Sequence, residues 1–269
     1  MTKILKDRGF VLKKRKYRET SKLITIFSEN AGKLNLIAKG VRTPKSKTSA
    51  ILEPINLIEF VYYDKPTRDL QYISSADFIE DYSNIKSKFE KIKVAYLIIE
   101  LTDIFSNEGQ ANTELFNLVL NQLKKLNQEI VSNYSVLNEF LVKLCEIAGY
   151  PIYAGYCPLC NKVINLSEQK FVLTRNYGLV CFECGSSQNF QITIGSETKK
   201  MLSLFLLKNS ESINGMKEEN FKHLFIPILE FLKFHVEEIK KIKSLELFWN
   251  FVLSLKVKSK KLRRKNGKE

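Results

Sequence analysis

Four of the five cysteines fall within "YCPLCNKVINLSEQKFVLTRNYGLVCFEC". Cys157 and Cys160 form one CxxC pair, Cys181 and Cys184 the other, with 20 residues between the pairs. Two such knuckles can aim four sulfurs at one ion, which is the spacing of a four-thiolate zinc site. Soft sulfur selects zinc over magnesium or calcium. Four protein ligands leave no open position for water or substrate, so the expected metal is structural, one Zn2+, and not catalytic. A redox CxxC pair and an iron–sulfur cluster are the weighed alternatives. Gly185 after the second knuckle and Asn161 after the first suit sharp turns. Cys145 lies in a helical pattern among Leu141, Leu144 and Ala148, with no base beside it, and reads as a core residue. His223 and His235 are remote from both pairs in sequence and read as helix-face residues.

Other chemistry is sparse. The chain has no Walker A loop, no dinucleotide glycine fingerprint and no HExxH. Glu80 and Asp81, like Glu237 and Glu238, are chain neighbours whose side chains diverge in a regular element. The expectation is a protein that is not an enzyme.

Charge is more informative. The 269 residues carry a net +14, and it is concentrated at the ends. Residues 1–50 hold 14 Lys/Arg against 3 acids, and residues 256–269 hold 8 against 1. Such asymmetry suits a polyanion, because counterion release drives phosphate binding. Thirty-five lysines against eight arginines argue against bidentate base reading. Lys13, Lys14, Arg15, Lys16 and Arg18 crowd one stretch with Tyr17 among them, so Tyr17 either stacks a base or packs at a rim. Arg42, Lys45 and Lys47 surround Pro44, and Lys39 shares the polar face of a strand.

The elements that must position these groups change period once. Residues 8–78 read as five short strands, "GFVLKKRKY", "SKLITIF", "GKLNLIAKG", "EPINLIEFVYY" and "DLQYISSADFI", which suggest a small barrel, OB or SH3-like. From residue 86 the pattern is helical: "FEKIKVAYLIIELTDIF", "ANTELFNLVLNQLKKLN" capped by Asn112 or Thr113, and "VLNEFLVKLCEIAG". Beyond the cysteines come "SETKKMLSLFLLKN", with a weak Ser196/Lys199 version of a capping box, then "NFKHLFIPILEFLKFHVEEI", with Pro227 expected to kink or start it, and "SLELFWNFVLSL". The segment between the knuckles reads as irregular, held by metal. Apolar runs break before about 18 residues, so no membrane span is expected. The start "MTKILKDRGFVLKKRK" lacks a signal peptide's apolar region, which suggests a cytoplasmic protein.

Beyond this reading, the ordered set of Gly9, "YRET" at 17–20, "GKL" at 32–34, "AKGVR" at 38–42, Pro44, Ser46, "LEP" at 52–54, "FLVKLCEIAGYP", the cysteine pairs around "NYGLVC" and the late "LEFLKFHVEEIKKIKSLELF" resembles the bacterial recombinational repair family RecO over roughly residues 4–250. The resemblance implies an α+β fold: an N-terminal OB-fold β-barrel at 1–80, an α-helical domain at 81–255 carrying a four-cysteine zinc module near 155–190, and a basic tail at 256–269. It implies a non-catalytic mediator that binds single- and double-stranded DNA, anneals complementary strands and, with RecR, helps load RecA on DNA coated by single-stranded-DNA-binding protein, in the cytoplasm at the nucleoid. Carried onto this chain, the DNA surface includes Lys13, Arg15, Arg18, Lys39, Arg42, Lys45 and Lys47. The acidic tail of the coating protein would meet Lys233, Lys240, Lys241 and Lys243. Two departures stand out: Asn161 replaces a usual glycine, and "EEIKKIKS" lacks the glycine often found before that basic stretch. An RNA-binding zinc protein and an adaptor for an acidic protein tail share much of this pattern. A nuclease would require metal-dependent cleavage.

Overall fold

The computed structural model describes residues 2–43, 48–65, 67–68, 70–128, 132–164, 170–188, 191–207, 213 and 218–248. Lys45, Lys47 and the basic tail lie outside the described residues.

Five strands open the fold: β1 (Lys3–Tyr17), β2 (Ser21–Ser28), β3 (Gly32–Ala38), β4 (Leu57–Asp64) and β5 (Gln71–Glu80). They curl into a barrel in the order β1-β2-β3-β5-β4, with β4 returning to β1. Four ladders are antiparallel and long. The fifth, β3 with β5, is parallel and only two pairs deep, Leu36 with Gln71 and Ile37 with Tyr72. The expected OB-fold barrel is corrected to a four-ladder antiparallel ribbon whose ends meet at a two-pair parallel seam.

Alternation along β1 and β2 separates two cores. Val11, Ile24, Ile26, Leu36, Ile58 and Phe60 fill the barrel. Phe10, Leu12 and Phe27 face outward and join the helical core. Gly9 permits the close approach of β1 to β2, since a Cβ there would lie 2.5 Å from Ile26 Cγ2 and 2.8 Å from the Phe27 carbonyl oxygen.

The helical body contains α1 (Thr48–Ile51) against the barrel, then α2 (Ser83–Lys86), α3 (Phe89–Phe105), α4 (Thr113–Gln128) and α5 (Asn133–Ile147). Asn112 caps α4 as expected, its Oδ1 accepting from the Leu115 amide at 2.9 Å. Phe116 on α4 joins the two parts of the molecule, with its ring 5.2 Å from Phe10 and 5.9 Å from Phe27. Lys13 and Lys33 of the barrel both pair with Asp103 of α3, and Lys33 Nζ also donates to the Asp103 carbonyl at 2.6 Å.

The cysteine region is more ordered than its composition suggests. β6 (Lys170–Thr174), β7 (Gly178–Cys181) and β8 (Gln191–Gly195) form a three-stranded antiparallel sheet, with β6 central. Phe171, Val172, Leu173, Leu179 and Val180 are buried in the helical core, which overturns the reading of this segment as irregular. After the short α6 (Phe182–Gly185) come α7 (Ser196–Leu206) and α8 (Glu218–His235), which runs through Pro227. The expected cap at Ser196 is absent: Gly195 is the N-cap, and Lys199 is buried, donating to the Ile164 carbonyl at 3.0 Å. A 3-10 turn (Glu237–Lys241) follows, and residues 244–248 are helical.

Candidate functional site

Two sites emerge from this frame. In the first, the four cysteine sulfurs all lie within 4.8 Å of one another, and Cys160 Sγ is 3.8 Å from Cys181 Sγ. A tetrahedral ion bonded to sulfur at about 2.3 Å needs sulfurs about 3.8 Å apart, so the donor set fits. The first knuckle closes by Asn161 N–H donating to the Cys157 carbonyl and Cys157 N–H to the Lys162 carbonyl, both at 2.9 Å. Asn161 adopts the left-handed conformation the turn requires, with φ 59°. The second knuckle is the single turn of α6. Gly185 is needed there because a Cβ would meet the Val172 side chain at 2.4 Å. Lys162 Nζ and Glu183 tie the two knuckles together at 2.9 Å.

Four thiols this close cannot all ionise without a counter-charge. Burial raises Cys157, yet backbone hydrogen bonds at Cys181, Leu159 and Cys160 outweigh it and bring this thiol down to about 6. Hydrogen bonding with Cys181 and Cys160 pushes Cys184 up to about 12. A cation at the centre removes that penalty, and all four sulfurs then bind as thiolates. Cys145 is fully buried and its thiol is pushed upward by desolvation, as expected for a core residue. His235 stacks on Tyr150 at 3.9 Å and has no part in the cysteine cluster.

The second site is basic. β1 distributes its charges between faces. Lys14 pairs with Glu53 and Lys13 with Asp103, so both are engaged within the protein. Arg15, Lys16, Arg18, Lys39 and Arg42 are exposed and have no ion pair among the described residues. Two loops bring Arg18 and Arg42 together. The Arg42 amide donates to the Thr20 carbonyl at 3.0 Å, and its guanidinium to the Arg18 carbonyl at 2.7 Å. Arg18 lies 5.4 Å from the centre of the Tyr17 ring. Lys39 leaves the end of β3 and sits 4.2 Å from the centre of the Tyr72 ring, where Arg68 is also found at 5.4 Å. The strand registers place the β1–β2 turn, the end of β3 and the start of β5 at one end of the barrel, with Arg18 beside Tyr17 and bound by Arg42, and with Lys39 and Arg68 beside Tyr72.

Sequence reading missed Arg68 and Tyr72. Their local signal, an arginine and an aromatic bracketing a turn, is weak, and only non-local pairing of β5 with β3 brings them to Lys39. Of the four helical-domain lysines, Lys233 lies on α8, Lys240 and Lys241 on the 3-10 turn, and Lys243 just after it. Lys233 pairs with Glu230 at 2.7 Å and Lys240 with Glu237 at 3.1 Å. Lys243 is exposed. Lys241 lines a cleft of about 560 Å³ shared with Lys13, Lys33, Asp103 and Glu238.

Fold and sites together define a class: a basic five-stranded sheet seated on a helical body that carries a cysteine cluster able to hold a metal ion. Family models described as "Recombination protein O N terminal" and "Recombination protein O C terminal" match residues 1–82 and 86–246. The chain belongs to this RecO family. It is 29% identical over 246 residues to the DNA repair protein RecO of Alkaliphilus metalliredigens, covering 91% of this chain and 98% of that one. It is 28% identical to that of Caldicellulosiruptor saccharolyticus, covering 86% and 99%. A match to the Salinibacter ruber protein is 36% identical but spans 46% and 48%. Family membership places the chain in DNA repair and recombination and agrees with a protein that is not an enzyme. Among the described residues, no helix is long and apolar enough to cross a membrane.

Proposed function

We propose that this chain is a recombination mediator that binds single- and double-stranded DNA and anneals complementary strands. With RecR it would help load RecA on strands coated by single-stranded-DNA-binding protein, in the cytoplasm at the nucleoid. The observation that carries this reading is the placement of Arg18, Lys39, Arg42 and Arg68 at one end of the barrel, exposed and without ion pairs among the described residues, in a chain of the RecO family. Arg15, Lys16 and Tyr17 extend that surface, and Lys45 and Lys47 follow Arg42 in sequence. Lys13 and Lys14 would contribute by exchanging their carboxylate partners for phosphates. Cations on one protein cancel repulsion between two phosphate backbones, so strands meet without any covalent step.

In this proposal residues 1–80 are the DNA-binding unit, 81–255 the docking body and 256–269 an added phosphate-binding tail. The cysteine ion is a structural Zn2+. Lys241, Lys243 and, after release from their glutamates, Lys233 and Lys240 would receive an acidic protein tail. The test is annealing of complementary labelled strands, bare and coated, with and without RecR. Faster annealing that is lost in an Arg18→Glu, Arg42→Glu variant supports the reading. Annealing no faster than without protein defeats it.

A further inference from the structure

Tyr72 is a half-buried aromatic that belongs to neither apolar core, yet its ring is covered by two cations. The arrangement is built. Ile37 and Tyr72 are neighbours across the parallel seam, and Lys39, two residues beyond Ile37, returns toward the same ring. Arg68 is held by Gln71, whose side-chain amide accepts from the Lys65 amide at 2.9 Å and donates to the Lys65 and Arg68 carbonyls at 2.9 and 2.8 Å. On the other side, Tyr63 is the direct cross-strand partner of Tyr72, and Ile4 that of Tyr63. Tyr63 is 39% and Ile4 68% exposed. A row of aromatic and apolar side chains thus runs over the outside of the barrel from a doubly charged corner.

We propose that Tyr72, flanked by Lys39 and Arg68 and continued by Tyr63, is a base-stacking subsite for single-stranded DNA. The inference rests on the DNA-binding reading above and names the chemistry of one part of that surface. An unpaired base offers a π-face that replaces the cation over the ring, and stacking on an aromatic is stronger than an exposed cation–π contact. The displaced Lys39 and Arg68 then lie beside the phosphates that flank the stacked base. Duplex DNA, whose bases already stack on each other, gains the phosphate contacts alone. The corner therefore favours single strands over duplex, which a purely basic patch does not.

The experiment uses the full chain and a thymidine oligonucleotide with one 2-aminopurine, whose fluorescence is quenched when it stacks. Wild type and Tyr72→Phe should quench it. Tyr72→Ala should lose the quench and bind the single strand about tenfold more weakly, with duplex affinity and the salt slope unchanged. Lys39→Ala and Arg68→Ala should each lower the salt slope by about one instead. Tyr72→Val, better suited to a strand, replaces the alanine variant if that one unfolds. Single-strand binding with undiminished quench in the Ala or Val variant overturns the stacking subsite and leaves the DNA reading standing. No single-strand binding by wild type overturns both.

Discussion

At the scale of residues, the cysteines behave as a unit. Cys181→Ser or Cys184→Ser removes one of four ligands and leaves the others crowded. Loss of bound metal is expected, with a melting temperature more than about 5 °C lower, which a metal assay and a thermal melt would show. Full metal content and an unchanged melt would contradict the site. Gly9→Ala forces a methyl group against Ile26 and the Phe27 carbonyl, and a cost of about 1–3 kcal/mol is expected in denaturant titration. The cysteine set was legible because CxxC spacing encodes its own geometry. Asn161 was legible for the same reason, since a knuckle demands a left-handed residue. Tyr72 was not legible: its neighbours Lys39 and Arg68 reach it through a two-pair seam between strands distant in sequence.

At the scale of elements, Phe116 shows how barrel and helices hold together. It is fully buried against Phe10 and Phe27, with Arg8 5.6 Å from its ring centre. Phe116→Ala should cost about 3–5 kcal/mol in equilibrium unfolding, and a change below about 1 kcal/mol would mean the interface tolerates the loss. Glu139 joins α4 to α5, accepting from Lys125 at 2.6 Å and Lys143 at 2.7 Å. Burial raises this carboxyl, but the two lysines outweigh it and hold it below the ordinary 4.5. A depressed carboxylate stabilises the fold above the unfolded value, and that contribution fades as pH falls through the folded value. Glu139→Gln should therefore be less stable at pH 7 and lose less stability on acidification below about 5. Parallel pH–stability curves for wild type and variant would refute the coupling. β1 to β4 and the helices α3 to α5 were legible from period, because one face or the whole of each is apolar, while β5, buried at Ala76 alone, was legible from its aromatic and β-branched residues. β6 to β8 were not: their strands are short, their apolar faces are covered by the helical core rather than by one another, and β8 was hidden between polar residues.

At the scale of the molecule, charge and topology converge. Residues 1–50 concentrate basic groups, and the fold then divides them by role. Lys13, Lys14 and Lys33 bind the protein's own carboxylates, while Arg18, Lys39 and Arg42 are left to solvent. Sequence alone could count these charges but not sort them, because Asp103 lies on a helix 90 residues from Lys13. Five strands were legible in the sequence, but the two-pair parallel seam between β3 and β5 was not, because it joins strands distant in sequence. The most direct measurement is fluorescence anisotropy of a labelled single strand across a salt series, with wild type beside Arg18→Glu, Arg42→Glu. The expected result is binding that weakens steeply and linearly on a log–log plot, with a shallower slope and weaker binding in the variant. Salt-independent binding, or a variant that binds as well as wild type, would contradict a barrel-end DNA surface.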